Sequence, residues 1–317
     1  MYLAFNFYGC YNQQDRFKRR KNMSSYVLTC CSTADRSPEF FKERELPYAC
    51  FHFRIDGKEY NDDLGQTIPF HDFYQKIRDG ALPETSQVNT EQYVRMWEPY
   101  LKEGRDVLHV TLSSGISGTI NSANAAREIL ADKYSERRIL VLDSLGASSG
   151  YGLFMEYMAD LRDAGLSLDE LYKWGEEHRL HMHHWFFSSD LTSYWRGGRI
   201  SRASAFFGNA LGVCPLMNMD NLGRLIPRRN VRPKRKVIEE IVREMMNHVE
   251  DGTAYKGKCQ ICNSDCMEDA VKVRTLIEEK MPQLKGKIGI NSVGTVIGSH
   301  TGPGTIALFF MGDERVN

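Results

Sequence analysis

Residues 113–119, Ser113-Ser114-Gly115-Ile116-Ser117-Gly118-Thr119, gather hydroxyls and glycines between an apolar run at 107–112 and a helix-patterned segment at 120–130. Strand, polar loop and helix in that order bring free backbone N–H groups and a helix dipole to one point, which favours an anion. Gly115 and Gly118 let the backbone approach a ligand, and Ser113, Ser114, Ser117 and Thr119 offer donors. The same residues also suit a plain helix start capped by Ser117 or Thr119. The generic pattern leaves both readings open. Neither G-x-x-x-x-G-K-[ST] nor G-x-G-x-x-G is present, and Thr119 stands where the second glycine of a G-x-S-x-G elbow belongs. A nucleotide site and an α/β-hydrolase nucleophile are therefore disfavoured.

Two further loops carry groups that would complement this one. Thr85-Ser86-Gln87 follows Pro83 and reads as a rigid turn with two hydroxyls and an amide. Gly298-Ser299-His300-Thr301-Gly302-Pro303-Gly304 lies between two β-prone runs, so His300 is either fixed in a tight loop or a surface-turn histidine. Other clusters carry less chemistry. Cys259, Cys262 and Cys266 have no second C-x-x-C or paired histidines, so they read as free thiols and no metal is expected there. His181, His183 and His184 read as a solvated strand edge. The basic run 228–236 reads as a solvated connector before a helix.

The elements needed to hold these loops alternate along the chain. Strands are expected at 26–30, 48–55, 107–112 and 138–142, helices at 38–44, 120–130 and 147–164, and a turn at Asp56-Gly57. Phe70, Phe73, Tyr74 and Ile77 share one helical face. This is the pattern of a parallel sheet flanked by helices. A domain boundary is expected near Gly165, giving an N-terminal α/β domain at 23–165 and a smaller α/β C-terminal domain at 166–317. In the second half, helices are expected at 168–180, 236–249 and 268–281. Strands are expected there at 185–188, 211–219, 258–262, 287–291 and 305–311. Val237, Ile238, Ile241, Val242, Met245 and Val249 follow helical spacing.

Composition bounds the function. The 317 residues include 41 Lys+Arg and 41 Asp+Glu, a net charge of zero that argues against a general nucleic-acid binder. No run approaches the roughly 18 apolar residues of a membrane helix. Residues 1–22 turn from aromatic to basic, the reverse of a secretory signal, and read as a disordered appendage with Met23 as the start. A partner-binding or membrane-touching tail is the rival reading. A cytoplasmic protein with eight free thiols is the expectation.

Taken together, these segments resemble the DegV family, which includes the acyl-binding subunits of bacterial fatty-acid kinase. Cys31-Ser32-Thr33-Ala34-Asp35 matches the family's D-S-T-A-D, with Cys31 for the first aspartate. Thr85-Ser86-Gln87 matches its T-S-Q turn, and Ser113 to Thr119 its S-S-x-x-S-G-T loop. Gly197 to Ser201 matches G-G-R-I-S, and Gly298 to Gly304 matches G-x-H-x-G-P-G. The likeness spans about residues 24–312. Val88-Asn89, Cys214 and Pro233 depart from the family's usual residues, as does Cys31.

The resemblance implies a two-domain α/β fold with a long-chain fatty acid in a tunnel between the domains and no cofactor. It places the carboxylate at Thr85, Ser114 and His300, with Ser86 and Ser113 as close alternatives. It also implies a separate ATP-dependent fatty-acid kinase as partner. Arg196, Arg199 and Arg202, on the glycine turn beside Trp195, are the candidate docking residues, or else Arg199 pairs internally and locks the turn. The competing function is a stand-alone serine hydrolase acting on an acyl or phosphate ester through Ser114 and His300, which would require an oriented base and an acidic third member.

Overall fold

The computed structural model describes residues 25–201 and 213–316. The appendage expected at 1–22 lies outside the described residues, as does Arg202. In chain order the elements are β1 (Tyr26–Cys31), α1 (Pro38–Glu43), β2 (Tyr48–Ala49), β3 (His52–Ile55), β4 (Lys58–Asn61), α2 (Phe70–Arg78), β5 (Glu84–Ser86), α3 (Thr90–Lys102), β6 (Asp106–Thr111), α4 (Thr119–Lys133), β7 (Ile139–Asp143), α5 (Ser148–Asp163) and α6 (Leu168–His178). They continue with β8 (Met182–Phe187), α7 (Thr192–Arg196), β9 (Cys214–Met219), β10 (Leu225–Val231), α8 (Lys234–His248), β11 (Cys259–Asn263), α9 (Met267–Lys280), β12 (Gly289–Ser292), α10 (Thr295–Thr301) and β13 (Ile306–Met311).

Three sheets result. The first is parallel, ordered β2-β1-β6-β7, as its apolar strands and intervening helices require. Its helices start on local signals. Ser37 caps α1, while Asn89 with Gln92 and Ser167 with Glu170 form capping boxes on α3 and α6. The second sheet is mixed and runs β10-β9-β8-β13-β11-β12, with only β11 and β12 parallel. The third is a small antiparallel sheet, β4-β3-β5. Its β3–β4 hairpin closes on Asp56 and Gly57, both at positive φ, 51° and 75°.

The 48–55 run expected as one strand is two. Tyr48–Ala49 joins the parallel sheet, whereas His52–Ile55 leaves it to carry β4 and β5. The helix expected to open the second domain, α6, packs on β6, β7 and α5, and its Leu168 and Leu171 belong to the first sheet's core. The chain crosses to the second sheet only at β8.

Strand alternation splits the second sheet between two cores. Phe186, Met217, Met219, Cys262, Ala307 and Phe309 face the first sheet and merge with its core, where α5 lies between the two sheets. Trp185, Phe187, Leu216, Ile261, Leu308 and Phe310 point the other way, onto α8 and α9. Cys259 lies in this second core and Cys262 in the first, so the C-x-x-C pair straddles the sheet and cannot converge on one ion.

Candidate ligand-binding cavity

A cavity of about 610 Å³ opens where the first and second sheets meet, a volume suited to a ligand of drug or lipid size. Its inner wall is mostly apolar and buried: Leu112 after β6, Phe186 on β8, Met219 on β9, Val296 on α10 and Phe309 on β13. Ser148, His184, Tyr194, Thr301 and Thr305 add buried polar groups to that wall, and the less buried polar groups gather on the open side. They are Thr85, Ser86 and Gln87 on or after β5, Ser114 and Ser117 ahead of α4, Arg199 beyond α7, and His300 near the end of α10.

His300 occupies the last turns of a helix rather than a loop, because the backbone turns away only at Gly302 and Gly304, both at positive φ. Its Nε2 lies 2.8 Å from Thr85 Oγ1, and Nδ1 is buried with no partner among the described residues. Burial, reinforced by the nearby Arg199 charge, pushes its pKa down to about 4, so the ring is neutral at pH 7. The segment after α7 comes close enough for this only because residue 197 is glycine. A Cβ there would sit 2.2 Å from His300 Nδ1.

Arg199, expected either at a docking surface or paired internally with an acid, lines the cavity. Its guanidinium donates to the carbonyls of Gly197 and Ile116, and no described carboxylate pairs with it. Burial lowers its pKa from the usual arginine value. Arg196 is exposed on α7, next to Trp195 at 39% exposure.

Ser114 and Ser113 part company. Ser114 is exposed and lines the cavity, and its N–H donates to the Asp143 carboxylate at 3.2–3.3 Å. Ser113 is fully buried and does not line the cavity. Its hydroxyl donates to Gly223 O at 2.8 Å and accepts from Gly115 N at 3.1 Å, fixing the loop from below. Ser117 accepts from Thr119 N at 3.3 Å, and Thr119 is buried against the Tyr93 hydroxyl. Thr85 and Ser86 sit on strand β5 instead of a free turn, with Thr85 paired to Phe53.

A hydrolytic triad is not assembled. No hydrogen bond joins Ser114 to His300 among the described residues, His300 is engaged by Thr85, and no described carboxylate meets the ring.

Several cavity residues were not singled out as site residues from sequence. His184, expected on a solvated edge, is buried on β8. Its Nε2 accepts from Ala147 N at 3.2 Å while Nδ1 is held by Met182 O at 2.9 Å, and burial keeps it neutral. His183 is buried on the opposite face. Cys262 also lines the cavity, 3.3 Å from Ser148 Oγ, which in turn donates to Asp35. Asp35 and Asp62 are both buried beneath this wall, and burial pushes both carboxyls up. The Cys31-to-Asp35 motif thus supports the wall and contributes nothing to the polar rim. Cys31 itself contacts the Tyr93 hydroxyl at 3.3 Å and His109 Nε2 at 3.7 Å, away from the cavity. The basic run expected as a connector instead ends β10 and begins α8, and on β10 Arg229 pairs with Glu240 and Glu244 while Arg228 donates to Asn218 at 2.7 Å.

Fold and site together define an α/β protein whose mostly apolar interior cavity lies between its two larger sheets, with a polar rim at the opening. The chain belongs to the DegV family. The model for uncharacterised proteins of that family matches residues 29–313. A DegV domain-containing protein of Clostridium perfringens is 35% identical over 296 residues, covering 92% of this chain and 99% of that one. The chain is also similar to the solved structure of a fatty-acid-binding DegV family protein from Thermus thermophilus, with a TM-score of 0.79 and 26% identity. That match covers 91% of this chain and 99% of that chain. A DegV lipid-binding protein from Thermotoga maritima gives a TM-score of 0.76 at 26% identity, over 92% of this chain and 100% of that chain. Among the described residues no helix is long and apolar enough to cross a membrane.

Proposed function

We propose that this protein binds one long-chain fatty acid, with its tail in the cavity and its carboxylate at the rim formed by Thr85, Ser114, His300 and Arg199. The carrying observation is the lining itself, a mostly apolar inner wall and an opening where Thr85, Ser114, His300 and Arg199, all less buried than that wall, converge. Burying roughly fourteen methylenes at about 0.8 kcal/mol each supplies up to about 11 kcal/mol before association costs. The tail can carry the affinity, provided the carboxylate keeps its hydrogen bonds. Arg199, whose partners among the described residues are carbonyls, supplies the cation. Ser86 stands at the outer edge, whereas the buried Ser113 acts through loop position. Fatty-acid binding by the similar Thermus protein agrees with this reading.

The finer reading is a carrier that presents the carboxylate to a separate ATP-dependent kinase, as the family resemblance implies. Arg196 and Trp195, exposed on α7, are the docking residues in that reading. Mass spectrometry of the purified, denatured protein tests the core of the proposal. One equivalent of long-chain fatty acid is expected. Ligand-free protein that cannot take up such an acid, or steady hydrolysis of an acyl ester abolished by Ser114→Ala, would overturn it.

A further inference from the structure

On the far face of the second sheet, away from the cavity, three chain segments bring His183, His248 and Asp313 together. His183 comes from β8, His248 from the last turn of α8, and Asp313 from the segment after β13. His183 Nε2 lies 3.0 Å from Asp313 Oδ1 and 2.9 Å from the same residue's backbone oxygen, a bond that a bound ion would replace, and His248 Nδ1 lies 2.9 Å from Oδ1. Among the described residues, this is the one group of three such side chains whose ligand atoms all fall within 4.8 Å of one another. The geometry points to a transition-metal site of the two-histidine, one-carboxylate kind, suited to Zn2+. Ligands bound at 2.0–2.1 Å around a tetrahedral ion stand about 3.3 Å apart, close to the separations found here.

The surroundings hold the three donors in place without an ion. Gly312 N donates to His181 O and Asp313 N to His248 O, both at 2.9 Å, so the segment carrying the carboxylate is tied to both histidine-bearing elements. A Cβ at Gly312 would lie 2.3 Å from His248 O and 3.2 Å from the His183 ring, so the close approach requires glycine. His183 is wedged by ring stacking on Phe310 and on His248, at 5.1 and 4.6 Å between centroids. Glu244, one turn before His248, places Oε2 3.6 Å from its Nε2. The contact is longer than a hydrogen bond, but it sets Nε2 towards Glu244 and leaves Nδ1 facing Asp313. The His183 side chain is 3% exposed, His248 29% and Asp313 60%, so an ion would enter from the carboxylate side and keep an open position for water. Two imidazoles and a carboxylate favour Zn2+, Ni2+ or Cu2+ over Ca2+ or Mg2+.

The test uses the full-length, reduced, chelator-treated protein, titrated separately with Zn2+ and Co2+. One equivalent of each should bind saturably, and Co2+ should give weak visible bands without the intense near-ultraviolet absorption of thiolate ligation. His248→Ala and Asp313→Ala change partly exposed side chains. Each should lower metal affinity at least about tenfold and abolish the rise in Tm given by Zn2+, with bound fatty acid unchanged. Absence of one-equivalent binding, thiolate bands from the cysteines, or unchanged affinity in both variants would overturn the assignment.

Discussion

At the scale of single residues, the proposed carboxylate site would turn on the protonation state of one partly buried imidazole. His300 is neutral at pH 7 because burial and Arg199 together depress its pKa to about 4, against about 6.5 in the unfolded chain. A depressed histidine favours the folded state fully above the unfolded value. That contribution is lost as pH falls from about 6.5 towards 4, where the unfolded chain binds the extra proton. The ligand-free protein should therefore lose stability over that window, and His300→Gln should flatten this part of the profile in denaturant titrations. A carboxylate placed beside the ring works in the opposite direction and raises the pKa of His300. Binding of a fatty acid near pH 6 should take up protons, visible as a dependence of the calorimetric enthalpy on buffer ionisation heat. His300→Gln should remove that dependence. Ser114→Ala and His300→Ala should each weaken binding by about 1.5–3 kcal/mol, the range for a hydrogen bond to a charged group. Full affinity in both variants would move the carboxylate elsewhere. Ser113→Ala should act differently, loosening the loop through the lost bond to Gly223 O and lowering Tm, since its hydroxyl does not reach the cavity.

At the scale of elements, the rim is assembled by close approach between the segment after α7 and helix α10. Gly197 already has helical backbone angles, φ −72° and ψ −6°, so alanine is acceptable to the chain itself. Only the imbalance of space against His300 remains. Gly197→Ala should thus displace the ring and lower fatty-acid affinity by about 1–3 kcal/mol, the usual range for overpacking, without unfolding the protein. Wild-type affinity in that variant would show that His300 needs no fixed position. How far these elements could be read from sequence follows from their local signals. The parallel sheet was legible because apolar strands alternate with helix-patterned segments, and β1, β6, β7 and α5 fall close to where that pattern puts them. Helix α3 carries its own signal, since Asn89 and Gln92 form a capping box and Tyr93, Trp97 and Leu101 repeat at helical spacing. α10 was hidden by glycines, which hold its C-terminal turns as readily as a loop. β10 was hidden by its arginines, which pair with Asn218 and with acids on α8. His184 looked solvated because nothing local reveals that β8 is a central strand, covered on both faces. Arg199 shows the same limit, since a charge on a glycine turn reads as surface until the fold turns it inward.

At the scale of the whole molecule, the cavity is where the two sheets share a core. The cavity-facing sides of β8, β9, β11 and β13 belong to the same cluster as the parallel sheet, and α5 contacts β8, β11 and β13 as well as the turn after β1. A fatty acid in that space would touch Leu112 from the first sheet and Phe186, Met219 and Phe309 from the second, so it would complete a core that both sheets need. An empty apolar cavity forfeits dispersion contacts along its lining, and filling it restores them without altering the backbone order. A ligand that binds only the folded form stabilises by RT ln(1 + [L]/Kd), about 2.7 kcal/mol when free ligand stands at 100 times Kd. Delipidated protein should accordingly melt several degrees below the loaded form, with the difference growing logarithmically as fatty acid is added back. Because the cavity belongs to the shared core, the shift should appear together in both halves. Trp97, beneath the first sheet, reports on one half by fluorescence and near-ultraviolet dichroism, while Trp185, in the core behind the second sheet, reports on the other. Single-tryptophan variants retaining one or the other should show coincident transitions that move by the same amount on loading. If only the Trp185 transition moved, the ligand would be stabilising the second sheet alone, and the cavity would not lie between two mutually dependent halves.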